Sequence, residues 1–148
     1  KEGEDYGYAA FTSQVDTVIM GRKTFDWVFN AINDVPHPEK ETFIVTRTAR
    51  EPMGNTQFYT GDVAELVLGL KTRPGGVIYC DGGAQLANTL LKAGLMDEII
   101  VSVIPVLLGG GVRLFEEGLA EQRLELVDSK AYETGLVQLH YRVYSGHA

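Results

Sequence analysis

The sequence is poor in residues that perform difficult chemistry unaided. Its single cysteine, Cys80, excludes an internal disulfide. That fits a reducing compartment and a cytoplasmic protein, or simply a small buried hydrophobe. No apolar run approaches the roughly 20 residues a membrane-spanning helix requires. Residues 1–5 form a charged run with no apolar segment behind it, so no signal peptide is expected. Cations are scarce: 13 Lys and Arg against 20 Asp and Glu leave a formal net charge of −7. A nucleic-acid partner is therefore disfavoured, because proteins that bind a phosphate backbone concentrate cations on it, whereas a small anion held by two or three local arginines remains open. His37, His140 and His147 lie far apart with no cysteine or carboxylate at ligand spacing. No metal site is expected, and each histidine reads as a surface or structural residue. No G-x-S-x-G or Cys–His arrangement offers a nucleophile. An enzyme built on this chain needs a bound cofactor to supply its reactivity.

What is present is an ordinary globular composition, 45% hydrophobic and 22% charged, on 148 residues, a length suited to one domain over residues 1–148. Tyr8 and Phe11, three apart, suit a short helix ending near Ser13 and Gln14. Residues 15–20 are a mostly apolar run closed by Gly21, read as a buried strand, and 23–32 carry Phe25, Trp27, Val28 and Phe29 for a helix. Two prolines mark 34–40 as a loop. Strands follow at 42–46 and 57–59, then a helix at 63–70 opened by Asp62 as N-cap. After Gly75 and Gly76, a strand at 77–80 runs into Asp81-Gly82-Gly83 and a helix at 84–92 that stops at Gly94. From Met96 onward the pattern changes to long β segments at 98–108, 123–129 and 136–144. The alternation implies an α/β fold with a mostly parallel central sheet flanked by helices and antiparallel C-terminal strands added to its edge. Ligands of such sheets sit beyond the carboxyl ends of the strands.

Three junctions occupy that position. Gly21-Arg22-Lys23-Thr24 opens a helix with a glycine, two cations and a hydroxyl; free amides at a helix start attract anions, and Arg22 and Thr24 add donors for a phosphate. An ordinary helix start with solvated basic neighbours is the competing reading. Thr46-Arg47 leaves a strand end with Arg50 close behind, a weak signal alone. Asp81-Gly82-Gly83-Ala84-Gln85 places paired glycines between a strand and a helix, where a ligand can approach the main chain closely. It is not the G-x-G-x-x-G dinucleotide fingerprint. The turn Leu108-Gly109-Gly110-Gly111 reads as a flexible loop.

The ordered set of Val18-Ile19-Met20-Gly21-Arg22-Lys23-Thr24-Phe25, Val45-Thr46-Arg47 and Asp81-Gly82-Gly83-Ala84 resembles the dihydrofolate reductase superfamily. With Gly94-Leu95-Met96-Asp97-Glu98 and Ile104-Pro105-Val106-Leu107-Leu108-Gly109, the chain looks like the bacterial branch related to the reductase domain of bifunctional riboflavin-biosynthesis enzymes. The resemblance spans about residues 5–144. It implies NADPH, with Gly21, Arg22, Lys23 and Thr24 toward the pyrophosphate, and Thr46 and Arg47 toward the adenosine 2′-phosphate. Asp81, Gly82, Gly83, Ala84 and Gln85 would line the pyrophosphate and nicotinamide side, with a cis peptide near Gly82-Gly83. Asp5, sixteen residues before Gly21, stands where dihydrofolate reductases carry the acid that bonds the pterin; a half-buried catalytic carboxylate and a helix N-cap are both open. The family opens with a central apolar strand, which does not precede Asp5, so the first strand is expected to be missing. Asp81, where dihydrofolate reductases have glycine, leans toward the riboflavin-type branch. The expected activity is NADPH-dependent reduction of a small pterin- or aminopyrimidine-like ring, with a non-catalytic nucleotide-binding module as the alternative. A homodimer fits the family, although no self-complementary patch marks one in the sequence.

Overall fold

The computed structural model describes residues 4–144; Lys1 and His147 lie outside them. The elements are α1 (Tyr8–Thr12), β1 (Val15–Gly21), α2 (Arg22–Ile32), β2 (Glu41–Val45), β3 (Thr56–Tyr59), α3 (Val63–Lys71), β4 (Val77–Cys80), α4 (Ala84–Lys92), β5 (Glu98–Val103), β6 (Leu124–Ala131) and β7 (Val137–Val143). Strands β3-β2-β1-β4 form an all-parallel sheet, and β5-β7-β6 an antiparallel one.

Alternation along β1 explains why helices cover both faces of the parallel sheet. Ile19 points to one face and packs with Phe43, Val63, Val67, Leu70, Leu86 and Leu90, the apolar stripes of α3 and α4 among them. Met20 points to the other and packs with Ile44 and Phe25 of α2. Val18, Ile19 and Ile44 are fully enclosed, and each such side chain contributes about 1.5–3 kcal/mol of transfer free energy. Helix α2 presents Phe25 and Phe29 inward, leaves Trp27 exposed, and stops at Asn33 in the left-handed region. Asp62 caps α3 as expected, accepting the Ala64 N–H at 2.9 Å.

Two expectations are corrected. The run 98–108 is strand only to Val103, because Pro105 cannot donate to a ladder and restricts Ile104 before it. The antiparallel strands do not extend the parallel sheet: among the described residues β4 pairs only with β1 and β5 only with β7. Nor does any strand precede β1 there. The facing edges of β4 and β5 border a cleft of about 1170 Å³, with Val77, Ile78, Tyr79 and Cys80 on one side and Ile99, Ile100 and Val101 on the other. Side chains outside the parallel sheet tie α4 to residues 114–116 and the segment before α1 to β7 and the turn before it. Buried Asn88 of α4 donates to Leu114 O (2.8 Å) and accepts from Glu116 N (3.1 Å). The Tyr6 ring meets the Tyr132 ring edge-on at 4.8 Å, while its carbonyl accepts from Gln138.

Candidate active site

Strand register brings the three junctions to one sheet edge. Gly21 at the end of β1 is level with Val45 of β2, placing Thr46 one residue beyond it. On the other side Ile19 is level with Cys80, and the Asp81 N–H donates to Ile19 O at 2.9 Å. The first and third junctions touch: Gly21 N–H donates to Gly82 O at 2.9 Å. A Cβ placed on Gly82 or Gly83 would meet Thr24 Oγ1 at 3.5 or 3.4 Å, so the hydroxyl lies against the glycine turn. The Gly82–Gly83 peptide is cis, at the position the resemblance implies.

The two helices starting there differ from α3. Where Asp62 caps α3, α2 and α4 begin on Gly21 and Gly83, which have no side chain to accept their first-turn amides, and neither helix has an acidic residue in its first turn. Two helix N-termini with unsatisfied donors thus meet at one clasp, each carrying roughly half a positive charge from its peptide dipoles. An anion is the natural occupant. The residues present fit a pyrophosphate.

The remaining sequence-derived residues are placed around this centre. Arg22 is exposed and donates to Asp26 at 3.0 Å; Arg50, unassigned in the sequence, donates to both oxygens of the same carboxylate at 2.9 and 3.3 Å. The Arg50 hydrogen bonds, reinforced by Arg22, hold Asp26 below the usual carboxylate range. Lys23 and Arg47 are exposed, and Gln85 is an exposed residue in the first turn of α4. Thr46 is buried, its hydroxyl accepting from Thr48 N at 3.3 Å. Asp5 is exposed rather than half-buried, because its oxygens accept the Gly7 and Ala9 N–H groups (2.9 and 3.2 Å) at the start of α1. Burial pushes the Cys80 thiol up to about 11, which keeps it protonated and unreactive at neutral pH.

Sequence reasoning missed one cluster. His37 of the 34–40 loop, read above as surface or structural, sets Nε2 2.6 Å from Asp81 Oδ2, and the Tyr79 hydroxyl donates to Oδ1 at 3.0 Å. Burial pushes the Asp81 carboxyl up, but the bonds from His37 and Tyr79 outweigh it and hold the group below its ordinary value. Burial, with the Asp81 charge beside it, pushes the Tyr79 phenol well up. No local pattern signals a pair 44 residues apart.

The RibD C-terminal domain family matches residues 8–138. The chain belongs to that family. The chain is 34% identical over 148 residues to uncharacterized protein YyaP of Bacillus subtilis (strain 168), covering 93% of this chain and 79% of that one. It is 37% identical over 142 residues to uncharacterized protein YwjB of the same organism, covering 95% and 81%. The crystal structure of a putative riboflavin biosynthesis protein from Shewanella sp. PV-4 superposes with a TM-score of 0.83 at 30% identity, covering 97% of this chain and 82% of that one. The chain thus has the RibD C-terminal domain fold, with the glycine clasp at the carboxyl edge of its parallel sheet. No helix among the described residues is long and apolar enough to cross a membrane.

Proposed function

We propose that the chain is an NADPH-dependent reductase of a small pterin- or aminopyrimidine-like ring. The observation that carries this reading is the meeting of two uncapped helix starts at the Gly21–Gly82 clasp. First-turn amides of α2 and α4 and the Thr24 hydroxyl would hold the pyrophosphate, with Arg22 and Lys23 lending positive charge. Arg47, close to Gly21 across the sheet, would take the 2′-phosphate, with Thr46, whose buried hydroxyl is tied to Thr48, shaping the turn beneath it. Arg47 has no ion-pair partner among the described residues, so its guanidinium is free to be recruited. Gly82, Gly83, Ala84 and Gln85 would border the nicotinamide, which when bound supplies the hydride.

Fluorescence titration with NADPH and NADH tests this. NADPH should bind more tightly, and Arg47→Gln should remove most of the preference, about 10- to 100-fold for a charge-assisted contact worth roughly 1.5–3 kcal/mol. Binding of neither dinucleotide would end the proposal. NADPH consumption with a panel of pyrimidines and pterins separates a reductase from a module that merely binds the nucleotide.

A further inference from the structure

Arg47 and Arg50 follow the same strand end three residues apart, yet their surroundings are opposite. Arg47 has no ion-pair partner among the described residues, whereas Arg50 is held on two sides. Its Nη1 donates to Asp26 Oδ1 at 2.9 Å and its Nη2 to Asp26 Oδ2 at 3.3 Å, a two-pronged contact that fixes orientation as well as distance. The guanidinium carbon lies 5.3 Å from the centre of the Phe58 ring of β3. Phe58 in turn meets Phe25, the neighbour of Asp26 in α2, edge-on at 5.3 Å. Arg22 joins from one turn earlier in α2, donating to Asp26 Oδ2 at 3.0 Å.

This clamp closes on the middle of the loop joining β2 to β3. The near end of the loop is tied by Thr46 N–H to Tyr59 O at 2.9 Å and by Thr48 N–H to Thr46 Oγ1 at 3.3 Å. Its far end is tied by the main chains of Met53 and Thr56, which exchange hydrogen bonds of 2.9 Å in both directions. Between Thr48 and Met53, among the described residues, the side-chain hydrogen bonds that reach the rest of the fold are those of Arg50. Without them Arg47 would sit on a longer untethered span, and ordering such a span opposes binding. An isolated exposed ion pair contributes little; here a fork, a second arginine and an aromatic ring act together. Charge alone gives the contrary expectation, since an anionic side chain near a phosphate site weakens binding and its removal strengthens it.

We propose that Asp26 is a positioning residue for dinucleotide selectivity: by clamping Arg50 to α2 it holds the loop that presents Arg47 to the 2′-phosphate. This rests on the reductase reading above and adds to it two residues that act through Arg47. Fluorescence titration with NADPH and NADH tests it, read as the ratio of the two affinities. Changes at the shared pyrophosphate, the release of Arg22 included, act on both dinucleotides alike and cancel in that ratio. Asp26→Ala should lower the preference for NADPH about three- to tenfold. Arg50→Gln should do the same, and the double variant should lose no more than either single one, because both changes open the same clamp. Cooperative melting of each variant establishes that it is folded. A wild-type protein that prefers NADPH, with that preference unchanged or increased in Asp26→Ala, overturns the inference alone. So do additive losses in the double variant. Wild-type protein that binds neither dinucleotide, or both equally, removes the reading beneath it.

Discussion

Replacing Gly21 by alanine separates a cofactor cradle from a merely structural turn. Gly21 has φ −76° and ψ 154°, which any residue adopts, and its new Cβ would lie 3.6 Å from Gly83 N and 3.9 Å from Gly82 O, both ordinary contacts. Two small effects then oppose each other. Alanine restricts the unfolded chain, worth about 0.4–1 kcal/mol in favour of folding, but is a poorer N-cap than glycine by a similar amount. Stability should therefore change by no more than about 0.5 kcal/mol, or roughly 1–2 °C. The methyl group nevertheless enters the clasp where the pyrophosphate is proposed to lie. Crowding of this kind costs about 1–3 kcal/mol, so NADPH should bind about 5- to 150-fold more weakly. Urea unfolding and fluorescence titration on the same preparation measure both quantities. Unchanged stability with NADPH affinity within twofold of wild type would refute the cradle. Gly82→Ala is a poorer probe, because φ there is +74° and a side chain is strained whatever binds.

Asn88→Ala removes hydrogen bonds to Ala84 O, Leu114 O and Glu116 N from a side chain that is 1% exposed. It should cost about 2–4 kcal/mol in urea unfolding and speed hydrogen exchange at Glu116. Asp81 makes stability depend on pH with a definite sign. Its folded pKa lies below the unfolded one, so its contribution is present above the ordinary carboxylate value near 4 and is lost as pH falls through the folded value. The melting-temperature gap between wild type and Asp81→Asn should be larger at pH 7 than near pH 3; a gap that widens on acidification would contradict the assignment.

Much of the parallel sheet was legible because its signals are local. Asp62 ahead of an apolar helical pattern announces a cap, Gly94 a stop, and 77–80 a strand, and each is found in the structure, although β4 is only half-buried because one margin faces the cleft. The glycine clasp was legible for the same reason: a glycine at the exit of a strand and the start of a helix marks close approach of backbone. Pro105 carried the signal that ends β5 early, outweighed in the reading by the apolar run around it. Asp5 shows a different limit. Spacing to Gly21 can locate a carboxylate along the chain, but only coordinates reveal that the Gly7 and Ala9 amides use both its oxygens. His37 and Asp81 are joined by tertiary folding alone, through a proline-framed loop that crosses to a neighbouring strand, and no periodicity encodes such a meeting.

Among the described residues, β4 and β5 each keep one margin outside any ladder. Main-chain donors and acceptors along such a margin accept an extended segment whatever its side chains, from the same chain or from another. Asp16, Glu41, Asp97, Glu98 and Asp128 outnumber Lys71 and Arg73 around this opening, and the molecule as a whole carries a formal charge of −7. Repulsion between like-charged copies acts against pairing of two molecules there, and dissolved salt shortens its reach to about 8–10 Å.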